Sequence, residues 1–431
     1  MKKIRLRRSI SLNTVMLYIG FFCVVTYALV EHANTSIPMI YTIKIPLLLA
    51  GGVCLLAHVK TISRVLLRKN YFAVLLSALV VCLLLVWSMF LNRSASFGDS
   101  PLRRTFRMVL YLMELFLYMI VLAEKGRGKL VVNFLFWYLL LLVVLNDALM
   151  FSGVIRFRDG RYENYLVGTK FNVAYLHMNL LTMWFVRSKM RPRRVRFAWV
   201  KILLMALLIM VICLRVDVMS GVLGSMALIA LFILSGNPKG RKLAKMASPT
   251  VLVMTFALSI IFVFIAHWVI SIPAVRFVVE DVFKRDTTIT GRLNIYEDFV
   301  VNMQGHWLTG YGLGNGTAVA QRLFGYNNVQ NGVLDWVLQV GIFAAGSMLA
   351  MIVVVFRQLS RRRGQALAPI LPLVSLLYMY IILGMIETTM DMSFFLWVAM
   401  IFLLVNERHP EERLKDSPAS LTGLTGAVHE D

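Results

Sequence analysis

Charged side chains are scarce in this chain. They make up 16% of its 431 residues, where a soluble protein carries about 25%, so an ordinary water-soluble domain is excluded. Cysteine is scarcer still: Cys23, Cys54, Cys82 and Cys213 are the only four. All lie inside apolar runs at no metal-ligand spacing, which excludes a disulfide framework and a cysteine zinc site and leaves them as small buried apolar residues. The sequence also holds no Gly-Lys-Ser/Thr, no His-x-x-x-His and no Cys-x-x-Cys. A P-loop nucleotide site, a catalytic metal and a cofactor are therefore not expected.

What is abundant is apolar surface. Hydrophobic residues reach 59% and fall in blocks of about 16–25 residues, close to the length a helix needs to cross ~30 Å of hydrocarbon. The blocks do not alternate, as the strands of a membrane β-barrel would. The expectation is an all-α polytopic membrane protein with about 12 spans, drawn at 15–30, 37–57, 71–91, 105–123, 130–151, 171–186, 199–214, 218–234, 250–272, 331–356, 369–386 and 392–405. Spans seven and eight could instead form one element broken around Arg215-Val216-Asp217. The organisation expected is one transmembrane domain over 1–405, a long loop at 273–330 inside it, and a polar tail over 406–431 rich in Ser, Pro and Gly.

The formal charge of +23 does not point to nucleic acid, because the basic residues sit mostly in short loops between apolar runs. With the N-terminus inside, the inner segments hold 29 Lys and Arg against 13 outside. That bias predicts cytoplasmic termini, a cytoplasmic-membrane location and an extracytoplasmic 273–330 loop. The basic stretch before the first span has no clear small-residue cleavage site after it and reads as the cytoplasmic lead of a retained helix.

The polar exception is Thr290 to Gly346. Within it, Ile295, Phe299 and Met303 share one helical face, and Gly310, Gly312, Gly314 and Gly316 alternate too densely for helix and predict a tight special turn. Thr290-Gly291-Arg292, the Gly310-Tyr311-Gly312-Leu313-Gly314 turn, Gln330-Asn331-Gly332-x-Leu334-Asp335 and Gly341-Ile342 follow in order. Upstream stand Gly168-Thr169-Lys170-Phe171-Asn172 and Asp217-x-Met219-Ser220-Gly221. In this order the motifs resemble the Wzy-type O-antigen and capsule polymerases and their ligase relatives, over the region from Gly168 to about Gly346. The resemblance implies a GT-C-like helical membrane glycosyltransferase. Its substrates would be undecaprenyl-diphosphate-linked oligosaccharides, its neighbours a flippase and chain-length regulators, and it would use no metal. The family often shows His-Asn where this chain has Gln330-Asn331, a departure that favours polymerase over ligase.

The implied reaction displaces a lipid diphosphate from an anomeric carbon, so fixed cations are needed where charge develops, and arginine's planar fork suits phosphate. Arg292 ranks first, then Arg215 and Lys170; Arg276, Arg322, Arg156, Arg158, Arg161 and Arg285 share the expected outer side. A base for the acceptor hydroxyl would be His306, beside Trp307, or a carboxylate, Asp335 or Glu297. Asp335, just inside span ten, should face a partner or a polar cavity. Tyr311 and the glycine turn could offer a phosphate backbone N–H groups, with no helix expected to start there, while Asn327, Asn328, Gln330 and Asn331 suit sugar hydroxyls. His177 and His267 read as buried core residues. A flippase is the competing class, but the two halves look dissimilar and the distinctive residues gather in one loop. If the orientation holds, single cysteines at positions 292 and 330 of intact cells will react with an impermeant maleimide. Protection of both until the membrane is permeabilised would place this segment on the cytosolic side.

Overall fold

An apolar run inside a bilayer has no water to satisfy its backbone, so each N–H and C=O must pair within the chain, and helix is the local solution. A computed structural model of the chain describes residues 11–30, 39–93, 100–153, 157–159, 162–191, 198–235, 245–277, 280–281, 292–362 and 364–408. Its helices are α1 (Leu12–Leu29), α2 (Met39–Leu56), α3 (Val59–Val65), α4 (Lys69–Leu91), α5 (Pro101–Glu124), α6 (Gly128–Ser152), α7 (Lys170–Lys189), α8 (Ala198–Arg215) and α9 (Met219–Ser235). They continue with α10 (Pro249–Ser271), α11 (Pro273–Phe277), α12 (Arg292–Asn302), α13 (Gly316–Phe324), α14 (Gly332–Leu359), α15 (Leu371–Leu383) and α16 (Met392–Asn406).

The protein is an all-α polytopic membrane protein. Six of these helices, α1, α4, α5, α6, α10 and α14, are long and apolar enough to cross a membrane, and the α2–α3 pair, bent by 72°, brings the number to seven. Each of the twelve expected spans falls on a helix, but the length criterion stops short of twelve. At 13 and 15 residues, α15 and α16 reach only about 20 Å and 23 Å, and α7 carries Lys170, His177, Asn179, Arg187 and Lys189. Apolar side chains face outward along α10, with Phe264 at 70% and Trp268 at 67% exposure. In water such a stripe would drive association; against lipid it is the expected surface.

Besides contacts between helices such as His177–Asp147 and Tyr380–Asn179, two clusters of polar contacts mark the ends of the bundle. At one end Glu124 accepts from Arg68 at 2.6 Å and from Arg408 at 2.7 Å. There Glu407 accepts from the Gly128 N–H at 2.8 Å, and Asn406 donates to Gln358 at 2.7 Å. The opposite end joins the tips of α4 and α5 to the residues 303–332 segment. Ser88 Oγ and Asn92 Nδ2 both donate to the Thr309 carbonyl, at 2.5 Å and 3.3 Å, and a Cβ on Gly312 would touch Asn92 and Pro101.

At that same end α14 is broken. Gly341 has φ 76° and ψ 173°, a conformation that an L side chain avoids. The break frees backbone groups on both sides, and the loop satisfies them: the Tyr311 N–H donates to the Leu338 carbonyl at 2.8 Å, and the Ile342 N–H to the Trp307 carbonyl at 2.9 Å. Beyond the break, 342–359 alone measures about 27 Å, nearly a full span, so the short piece 332–340 forms the site end rather than membrane-crossing length.

Several expectations are corrected. A small antiparallel meander, β1 (Phe157–Asp159), β2 (Tyr162–Tyr165) and β3 (Gly168–Thr169), occupies the α6–α7 connection. Helix α13 starts at Gly316, where no helix was expected, as soon as the run of positive-φ glycines ends at Gly314. Spans seven and eight are two helices joined by a tight turn with Asp217 at φ 54°, not one broken element. His267 is exposed on α10 rather than buried, because the core-facing side of that helix carries Val263, Ala266 and Ile270. Cys54 is half-buried, whereas Cys23, Cys82 and Cys213 are buried and unbonded. Replacing Gly341 with alanine puts a methyl group into the Leu308 carbonyl and forces a strained φ, together a cost of about 3 kcal/mol or more. Purified G341A protein should therefore unfold at clearly lower temperature, and an unchanged melting curve would contradict the role given to the break.

Candidate functional site

The short piece of α14 starts on an asparagine because a helix N-terminus leaves N–H groups without partners. Asn331 Oδ1 accepts from the Val333 and Leu334 N–H groups, both at 3.0 Å. Its Nδ2 donates to the Met385 carbonyl at 3.2 Å and lies 3.4 Å from the Ser259 carbonyl. Fully buried, this amide is committed on both sides. Gln330 just before it has φ 54°, and its carbonyl accepts from Tyr296 Oη at 3.0 Å; the same hydroxyl lies 2.9 Å from the Met385 carbonyl. Tyr296 on α12 thus clamps the entry of α14 to the α15–α16 connection.

One turn into α14, Asp335 faces a cavity of about 190 Å³ shared with Arg104, Trp336, Gln339, Thr388, Asp391 and Phe395. Gln339 Nε2 donates to Asp335 Oδ2 at 2.8 Å, and Gln339 Oε1 accepts from the Gly314 N–H at 2.9 Å. The glycine turn therefore reaches the carboxylate through a single amide. Gly314 at φ 98° is also where a Cβ would lie 2.5 Å from Arg104 Cγ, so its missing side chain admits the arginine stem. Trp336 Nε1 donates to the Met390 carbonyl at 2.9 Å, and its ring stacks on Phe395 at 5.5 Å. Asp391 caps α16, accepting from the Ser393 N–H at 2.9 Å and its hydroxyl at 2.7 Å. The result is an open cleft holding a guanidinium, two carboxylates and an aromatic wall.

The other residues singled out from sequence lie elsewhere. Arg292 opens α12, but its side chain and Thr290-Gly291 lie outside the described residues, as do Arg161 and Arg285, Arg156, and the side chain of Arg158. His306 is half-buried and stacked on Tyr311 at 3.9 Å, with Nδ1 3.4 Å from the Gly310 carbonyl. Tyr311 Oη donates to the Asn302 carbonyl at 2.7 Å, and burial pushes its phenol pKa up. Lys170 Nζ donates to the Asp217 carbonyl at 2.8 Å and stands 3.4 Å from its carboxylate, while Arg215 is exposed on the adjoining turn. These two upstream motifs thus meet each other and do not line the cavity, although Asn172 of the first shares a smaller neighbouring pocket with Asp391. Arg276 pairs with Glu280 at 3.0 Å, a contact that raises its pKa, and lines a separate cavity of about 300 Å³ with His267, Asn294 and Glu297. Arg322 is exposed on α13. His177 is buried and lies 3.0 Å from Asp147.

Four polar cavity residues escaped sequence reading, Arg104, Gln339, Thr388 and Asp391, as did the aromatic pair Trp336 and Phe395. Gln339 had a signal, since it follows Asp335 by four positions on one helical face. Asp391-x-Ser393 before an apolar run is a capping pattern. Arg104 had none, because its proximity to Gly314 is purely tertiary. Comparison of the chain with family models, with curated proteins and with solved structures finds no match.

The Asn331 cap gives a graded test. Asn331→Ala removes the cap, worth about 0.5–2 kcal/mol, and leaves the Met385 carbonyl without this donor, whereas Asn331→Asp keeps the accepted N–H bonds but sets a buried carboxylate oxygen against that carbonyl, a larger cost. Thermal unfolding should rank wild type above N331A above N331D; equal melting of wild type and alanine variant would remove Asn331 from this structural role.

Proposed function

We propose that this protein is a membrane glycosyltransferase that polymerises undecaprenyl-diphosphate-linked oligosaccharide repeat units into surface polysaccharide. In this reading the helices make about twelve crossings of the cytoplasmic membrane in a GT-C-like arrangement. Both termini are cytoplasmic, and the cavity opens on the outer face. The observation that carries the reading is that Arg104 and Asp335 line one cleft, with Trp336 and Phe395 on its wall. At about 190 Å³ the cleft is smaller than the roughly 300–1,000 Å³ of drug-sized ligand pockets. It suits one reacting sugar and its linkage oxygens, with the remainder of each glycan outside.

In the proposed reaction Asp335 accepts the proton of an acceptor hydroxyl. The freed oxygen forms a bond to the anomeric carbon, the bond from that carbon to the phosphate oxygen breaks, and the lipid diphosphate leaves with the electron pair. Arg104 offsets the charge that gathers on the leaving group, which is where fixed cations contribute most. Gln339 orients the carboxylate, and the aromatic pair supplies a flat apolar surface for a sugar ring. His306, Tyr311 and Gln330 stand on the loop that frames this end, and Arg292 heads the helix that clamps it.

A second reading, movement of a lipid-linked oligosaccharide across the membrane, is favoured by one feature: the break in α14 next to charged residues, an arrangement that transporters use. Purified protein supplied with lipid-linked repeat units separates the two, since chain growth supports the enzyme and leaflet exchange alone supports the transporter. In the elongation assay Asp335→Asn should lower turnover by about 10²–10⁴-fold and Arg104→Gln by about 10²–10³-fold, with thermal unfolding close to wild type. Wild-type elongation by folded D335N would refute the assignment.

A further inference from the structure

At the opposite end of the bundle lies a cavity that the proposed reaction does not use. It is about 230 Å³ and is lined by Lys129, Val132, Asn133, Arg187, Met190 and Arg191, from the start of α6 and the end of α7. Three of the six lining residues are cations and none is an acid. The carboxylates described nearby are already engaged: Glu124 by Arg68 and Arg408, Glu407 by the Gly128 N–H. Such a concentration of one sign is costly unless an anion enters.

Arg187 shows that the cavity is organised rather than a solvated fringe. Its guanidinium lies over the Phe136 ring at 4.6 Å and the Trp137 ring at 5.1 Å, fixed by the aromatic faces in a cation–π contact. Its Nε is enclosed and has no hydrogen-bond partner among the described residues, and a guanidinium's remaining N–H groups form a fork that matches phosphate oxygens. Asn133 adds a neutral side chain able to hydrogen-bond an ester or hydroxyl oxygen.

The surroundings point to lipid as the source of that phosphate. Trp137 is 57% exposed, and Leu141, Val144 and Leu145 continue its outward face along α6 at 54%, 55% and 44%. Trp is a residue type enriched where headgroups meet hydrocarbon, and the aliphatic stripe beyond it offers a surface for acyl chains. We propose that Lys129, Asn133, Arg187 and Arg191 form a binding site for the phosphate headgroup of an anionic phospholipid, whose chains lie along α6. Basic pockets between transmembrane helices hold lipid headgroups in this way.

Native mass spectrometry of the full-length protein in neutral detergent tests this, with phosphatidylglycerol titrated against phosphatidylcholine and, in a separate arm, against inorganic phosphate. The wild type should retain phosphatidylglycerol selectively. Arg187→Gln with Lys129→Gln should weaken retention by about tenfold or more, whereas Lys60→Gln with Arg64→Gln, an equal charge change on exposed α3, should not. Lys129→Gln alone, at an exposed position that leaves the Arg187 stacking in place, should weaken it partially, which keeps the test open if the double variant folds poorly. Equal loss in the two double variants, equal retention of phosphatidylcholine, an unaffected K129Q protein, or displacement of the lipid by inorganic phosphate would each overturn the proposal.

Discussion

Two backbone hydrogen bonds decide the shape of the site end: Tyr311 N–H to the Leu338 carbonyl and Ile342 N–H to the Trp307 carbonyl. A helix interrupted near hydrocarbon exposes polar groups that lipid cannot satisfy. The interruption at Gly341 is tolerable because another stretch of backbone is held against it. Everything that holds that stretch in place, Ser88 and Asn92 from α4 and the glycines that allow close approach, serves the same requirement. The position of Asp335 follows from it, since the piece carrying the carboxylate is aimed by the break and by the Asn331 cap together.

The two ends of the bundle use polarity differently. Around Glu124 the charges neutralise each other in short, partly buried pairs, and asparagine and glutamine fill the remaining gaps. Around Gly341 the polar groups are chiefly backbone and amide, and the charged residues face a cleft. An ion pair binds helix ends together; in the cleft Asp335 is held by Gln339 and Asp391 caps α16, with Arg104 on the same wall. Lys129, Arg187 and Arg191 depart from the first pattern, being cations gathered at the paired end with no acid among their lining neighbours.

Much of the architecture was legible in sequence because hydrophobic length is a strong, local signal. The apolar blocks marked the helices, the spacing of Ile295, Phe299 and Met303 marked the buried face of α12, and the alternating glycines marked a backbone that only glycine tolerates. Legibility ended where tertiary contact decides. Ranking arginines by motif could not reveal that Arg104, in the first turn of α5, packs on Gly314, nor that Lys170 is engaged by Asp217. Asn331 read as a group for sugar hydroxyls, yet its amide bonds to main chain on every side, because an Asn before an apolar run serves equally well as a helix cap. Span number was the least secure reading, since short helices such as α15 and α16 are as apolar as long ones and composition does not measure reach.

The level at which α14 breaks has a kinetic consequence. Gly341 lies against Leu308 and Thr309, which Ser88 ties to the tip of α4, so the break stands toward one end of the bundle. Under the proposed function, a substrate tethered to the bilayer by a long isoprenoid tail would arrive there sideways, by diffusion within the plane of its leaflet. Encounter then becomes a search in two dimensions, and the tether never has to leave the hydrocarbon for its polar head to reach the carboxylate.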